Sequence, residues 1–135
     1  MSLPAQVAPS EKLSRFIFPS SHFSSLNNRV KYGTFIPPKQ SPYELSVYRV
    51  DSLQEYEIWQ LAVENVETER RKTKARADLI CQDALDLQLE VKPEPTRHYR
   101  HANITGWEEK DLEDLKFAVQ LASKAALIIK PQLKS

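Results

Sequence analysis

Residues 97–107, RHYRHANITGW, bring together two arginines, two histidines, an asparagine, one of the chain's two glycines and one of its two tryptophans. Three kinds of chemistry suit such a mixture. Imidazoles exchange protons near neutral pH, so His98 and His101, joined by the third histidine, His22, could act as general acid and base on a phosphodiester or nucleotide. Arg100 would then steady the developing negative charge without a metal. Alternatively, His98-x-x-His101 could supply two metal ligands, as residues three apart share a helix face. The prolines upstream and Thr105-Gly106 downstream favour loop or strand instead, where such positions point to opposite sides. With no second cysteine and no ordered carboxylate nearby, neither a metal nor a cofactor is expected. The third role is recognition. Arg97, His98, Arg100 and His101 at a helix start would surround its unpaired N–H groups with further donors and suit a phosphate or carboxylate. Asn103 and Trp107 would complete a surface for an anionic or protein partner.

Each of these residues also has a structural reading: histidines bonded to backbone around a cap, Asn103 supporting a turn, Gly106 permitting tight geometry and Trp107 stapling a helix to the core.

Two further stretches carry charge in a suggestive pattern. SSHFSSLNNRVK, 20–31, places His22, Arg29 and Lys31 among hydroxyls, and could form a second wall facing His98 and His101. RRKTKAR, 70–76, puts Arg70, Arg71, Lys72, Lys74 and Arg76 in seven positions, enough for contacts to a nucleic-acid backbone. Glu64, Glu67 and Glu69 precede that run and no aromatic residue interrupts it, which favours a solvated, locally ion-paired segment over a nucleic-acid site.

The elements that must position these groups follow from periodicity. ELSVYRV, 44–50, alternates apolar residues on both faces and reads as a central strand. Phe16-Ile17-Phe18 reads as a short strand ended by Pro19, and Val30–Ile36 as another, interrupted at Gly33 and stopped by Pro37-Pro38. Ser52 and Glu55 have capping-box spacing before a helix whose stripe is Tyr56, Trp59, Val63 and Val66. The stripe can be continued to Leu87 as one long helix, but polar Arg70 and Thr73 on it argue for a break near 68–74. KARADLI is then extended, CQDALDL a short helix or turn, and QLEVK a strand. Thr105 and Glu108 cap a final helix with the stripe Leu112, Leu115, Val119, Ala122 and Ala126, stopped by Pro131.

The expected fold is therefore α+β: one two-layer domain over 14–135, a small, mainly antiparallel sheet covered on one side by two amphipathic helices, with residues 1–13 as a flexible tail. A formal net charge of +1 excludes a global field for polyanions, so any anion site must be local. Two glycines exclude a dinucleotide cradle, and no phosphate loop, nucleophile elbow or zinc spacing occurs. The opening MSLPAQVAPSEKL lacks the basic start and apolar run of a secretory signal, and no stretch suits a membrane span. With the lone Cys81 preceded by apolar Leu79 and Ile80, a cytoplasmic protein with a buried thiol is expected. Asn103-Ile104-Thr105 matches a glycosylation acceptor only by chance in that setting.

SHFSS, VKYGTFIPP, ELSVYRV, EIW, RADL and RHANITGW together resemble a group of small bacterial proteins in which R-H-A-N-I-x-G-W leads into a C-terminal helix. The resemblance implies a bacterial, cytoplasmic, single-domain protein and no particular chemistry. Two functions remain. One is an accessory or interaction protein binding a protein or anionic partner through 97–107. The other is a metal-independent enzyme using His22, His98, His101 and Arg100.

Overall fold

ELSVYRV folds as the central strand its alternation predicts. In the computed structural model, which describes residues 3–131, β4 (Leu45–Arg49) lies inside a six-stranded antiparallel sheet. Its companions are β1 (Lys12–Ile17), β5 (Ala75–Ile80), β6 (Glu90–Pro93), β7 (His101–Thr105) and β8 (Ala126–Ile129), in the order β6-β7-β4-β1-β5-β8. Pro93 ends an edge strand, where a missing N–H costs no ladder bond. A separate hairpin, β2 (Phe23–Ser24) with β3 (Arg29–Val30), and a 3-10 turn, Tyr32–Phe35, fill the excursion between β1 and β4. The strand expected over Val30–Ile36 is thus only its first residue; the rest turns.

The α+β class and the antiparallel sheet agree with expectation, while the helices divide between the two faces. Leu13, Ile17, Leu45, Val47, Ala75, Ala77, Leu79, Ala102 and Ile104 alternate onto one face. There they pack against Cys81 and Ala84 of α2 (Cys81–Leu85) and Ala118, Leu121 and Ala122 of α4 (Lys116–Lys124). Phe16, Tyr48 and Val50 belong to the other face and pack against Ile58, Leu61 and Ala62 of α1 (Glu55–Asn65). α1 covers that face only in part.

Both long helices differ from their expected stripes. α1 carries apolar side chains most of the way round, so two registers fit the sequence. The one that wins buries Ile58, Trp59, Leu61 and Ala62 and leaves Tyr56 69% and Val63 45% exposed. Its cap lies at Gln54, whose N–H donates to the Glu57 carboxylate at 2.9 Å, while Ser52 sits in a turn at φ 70°. The C-terminal helix expected from Thr105 to Lys130 is two helices and a strand. Thr105 closes β7. Glu108 caps α3 (Glu109–Asp114), and its N–H donates to Asp111 at 2.8 Å. Leu115 then adopts φ 60° and Asp114 accepts the Lys116 N–H, which restarts the chain as α4. Ala126 and its successors pair with β5 as an edge strand in place of more helix.

The segment expected to be a tail is tied down from Pro4 onward. Arg49, 1% exposed, bonds both oxygens of Glu11, at 2.6 and 3.1 Å, and donates to the carbonyls of Pro4 and Gln6. β1 itself begins at Lys12, and Leu13 is part of the core. Cys81 is buried as expected, and burial raises its thiol pKa, with Glu11 adding to the rise.

Candidate functional site

β1 and β4 are adjacent yet paired only at Leu13 with Arg49 and Ser14 with Tyr48, whereas β1 runs beside β5 for its full length. Beyond Tyr48 the two strands part. A continued ladder would give the Ser46 carbonyl to the Phe16 N–H. Instead the Arg15 guanidinium enters the gap, its Nη1 donating to that carbonyl and its Nε to the Thr34 carbonyl, both at 2.9 Å. The parting leaves a cavity of about 410 Å³, bordered by Arg15, Arg71, Arg97, His22, Tyr48 and Ser46.

Its electrostatics are one-sided. No carboxylate borders the cavity, and none of its three guanidiniums is in an ion pair among the described residues. Burial, and then the neighbouring Arg71, lower the Arg15 pKa to about 10, which still leaves a cation at neutral pH. Burial and then Arg15 hold His22 below its ordinary value. The Arg71 guanidinium lies 4.2 Å above the Phe18 ring at the mouth. Tyr48 is 2% exposed and its hydroxyl has no hydrogen-bond partner among the described residues. Burial raises the pKa of this phenol, partly offset by Arg97. Arg71 and Arg97 are exposed and Arg15 is half-buried, whereas the two fully buried arginines are matched: Arg49 by Glu11, and Arg76 by Glu55 and Asp78.

A second cavity, also about 410 Å³, adjoins the first and shares Ser46 and Arg97 with it. It is bordered in addition by His101, Asn103, Glu94 and the turn around Pro42. The His101 ring is 2% exposed and fully engaged. Nδ1 lies 3.0 Å from both the carbonyl oxygen and Oε2 of Glu94, and Nε2 lies 3.1 Å from Ser46 Oγ. Hydrogen bonding from Thr96, opposed by burial and reinforced by His101, holds Glu94 below the usual carboxylate range.

The structure therefore divides the residues singled out by composition. His22 and Arg97 meet at the first cavity; His101 and Asn103 border the second. His98 borders neither: its ring stacks on Tyr99, and its Nδ1 accepts the Arg100 N–H at 3.1 Å. Arg100 donates to the carbonyls of Arg49 and Asp51, so both members are occupied in holding the 97–101 turn. Trp107 is in the core, donating to the Ile104 carbonyl. Arg29 and Lys31 border a different hollow beside α4. The anion site expected at a helix start is absent because His101–Thr105 is strand, and the start of α3 already carries its own carboxylates, Glu109 and Asp111. The basic run is split as well: Arg76 is buried in ion pairs, while Arg70, Arg71, Lys72 and Lys74 are exposed and of these Arg71 borders the cavity. No group of three or more histidines, cysteines or carboxylates is placed to hold a metal among the described residues, and none of their helices is long and apolar enough to cross a membrane.

Arg15, Ser46, Tyr48 and Glu94 are site residues that the sequence reading did not single out. No family model, curated protein or solved structure matches this chain.

Proposed function

We propose that the protein binds a small ligand carrying a phosphate or carboxylate group in the cavity between β1 and β4. The observation that supports this is the convergence of Arg15, Arg71 and Arg97 on one cavity without a carboxylate partner, in a protein whose buried structural arginines are paired. Like charges brought together repel, and an anion relieves that repulsion while its oxygens accept charge-assisted bonds. The Tyr48 hydroxyl supplies a further donor, and burial has already removed its hydration. The volume suits a small molecule. Of the segment 97–107, Arg97 alone faces this cavity, so an anionic partner is favoured over a protein docking on that whole stretch. The bacterial, cytoplasmic setting suggested by RHANITGW belongs to the same proposal.

The test is a titration of the labelled protein with inorganic phosphate and sulfate, followed by NMR at the His22 ring, the Arg15 Nε–H and the Tyr48 ring. Saturable shifts at all three are expected. Loss of one charge-assisted bond, worth about 1.5–3 kcal/mol, makes the Arg97→Ala variant about ten- to a hundredfold weaker. Spectra that stay unchanged in tens of millimolar of either anion overturn the reading.

A further inference from the structure

We infer that Ser46 is a nucleophile, His101 its general base and Glu94 the residue that positions the base, and that together they hydrolyse a carboxylic ester. The inference rests on the anionic reading of the adjoining cavity, which supplies the binding of the substrate's charged end.

The geometry comes from the sheet. On the face that α1 leaves partly open, Ser46 stands opposite Asn103, and Tyr48 stands opposite His101, so Ser46 and His101 are diagonal neighbours across β4 and β7. Both oxygens that face His101 Nδ1, the Glu94 carbonyl and Oε2, are acceptors. Nδ1 therefore carries the hydrogen, and in the neutral ring the Nε2 lone pair faces Ser46 Oγ at 3.1 Å. That is the arrangement a serine nucleophile requires: a base within hydrogen-bond reach, held in the correct tautomer by a carboxylate on its far side. The Tyr48 ring meets the His101 ring edge-on at 5.4 Å and limits its rotation.

Position adds a second argument. Among the described residues, Ser46 and Arg97 border both cavities, so a substrate anchored by its anion in the first presents its next atoms to Ser46 Oγ. Oγ attacks the ester carbonyl carbon as its proton passes to His101 Nε2, and Arg97 donates to the oxygen that becomes negative. The C–O bond to the alcohol then breaks, and His101 returns the proton to the departing alkoxide. Water, deprotonated by His101, attacks the resulting acyl-serine. The carboxylic acid leaves and Ser46 regains its hydrogen. The substrate class is an ester with a carboxylate or phosphate a few bonds from the reacting carbonyl.

The experiment compares p-nitrophenyl hemisuccinate with p-nitrophenyl acetate, alongside mass spectrometry after treatment with phenylmethylsulfonyl fluoride. The hemisuccinate is expected to react with the higher kcat/KM by tenfold or more, and the sulfonyl adduct to fall on the peptide containing Ser46. Ser46→Ala abolishes both signals, and His101→Gln lowers kcat about 10²–10⁴-fold. Glu94→Gln lowers kcat with little change in KM, because the His101 ring loses the carboxylate that orients it. Absence of a Ser46 adduct together with equal hydrolysis by wild type and Ser46→Ala overturns the inference. If phosphate still shifts His22 and Tyr48 in that case, the anion site stands and the nucleophile alone is rejected. An adduct at Ser46 without preference for the charged ester or response to phosphate rejects the anion site alone.

Discussion

Removing the Glu11 carboxylate would strand a cation inside the protein. Arg49 is 1% exposed and keeps two backbone carbonyls, from Pro4 and Gln6, but its bidentate carboxylate partner would be gone. Breaking one side of a buried pair costs about 3–5 kcal/mol. Unfolding entropy near 2.1 cal/mol/K per residue gives about 0.28 kcal/mol/K for 135 residues, so Glu11→Ala should lower Tm by about 11–18 °C. The double variant Glu11→Leu with Arg49→Met removes both charges and should return to within about 1 kcal/mol of wild type, because no buried charge is left unpaired. Urea unfolding of the wild type, of Glu11→Leu and Arg49→Met singly, and of the double variant closes the cycle and yields the coupling directly. A loss below about 1 kcal/mol for Glu11→Ala would refute the reasoning and return the segment before β1 to the status of a loose tail.

Other outcomes follow from single positions. Gln88 is exposed at φ 64° after α2, so Gln88→Gly should raise stability by about 1 kcal/mol, read as a Tm gain of about 3–4 °C. A Cβ at Gly33 would meet the His22 ring at 3.0 Å; Gly33→Ala should displace that ring, seen as changed His22 NMR shifts and weaker phosphate binding. His22 has its pKa lowered by burial and then by Arg15, so its neutral form adds stability above the unfolded value near 6.5, and that contribution disappears as pH falls through the lower folded value. A bound anion favours the protonated ring, so sulfate affinity should strengthen as the pH falls toward the lowered folded value, and His22→Asn should flatten that rise in calorimetric titrations. Cys81 should react with a disulfide reagent only at the rate of unfolding, as followed by thiol release.

Much of the fold was legible where side-chain period and burial agree. Leu45, Val47 and Tyr48 mark a strand filled on both faces, and ARADLI, CQDAL and EVKP took the strand, short helix and strand expected of them. The reading failed where one pattern fits two structures. Tyr56 and Val63 form as regular a stripe as Ile58 and Ala62, and only the opposing Phe16 and Tyr48 select between them. Nothing in DLEDLKF announces a left-handed residue at Leu115, since neither glycine nor proline marks it. The site was half legible for the same reason. His22, Arg97, His101 and Asn103 stood out by residue type, but Arg15 and Ser46 gain their roles from a parting between strands about thirty residues apart, and Glu94 from a turn that folds it back onto His101. His98 and Arg100 show the converse: their composition was suggestive, and the backbone of the turn had already claimed them.

The parting of β1 from β4 has a mechanical meaning as well. A gap walled by apolar side chains would tend to collapse, because closing it removes oily surface from water. This one is held by Arg15 across its width and faced by Arg71 and Arg97, so drawing the strands together would crowd positive charges and strip their water. An anion bound as proposed would supply a counter-charge and relieve that crowding. A ligand bringing that charge would clamp together two halves of the sheet, β6-β7-β4 and β1-β5-β8, that share only two residue pairs.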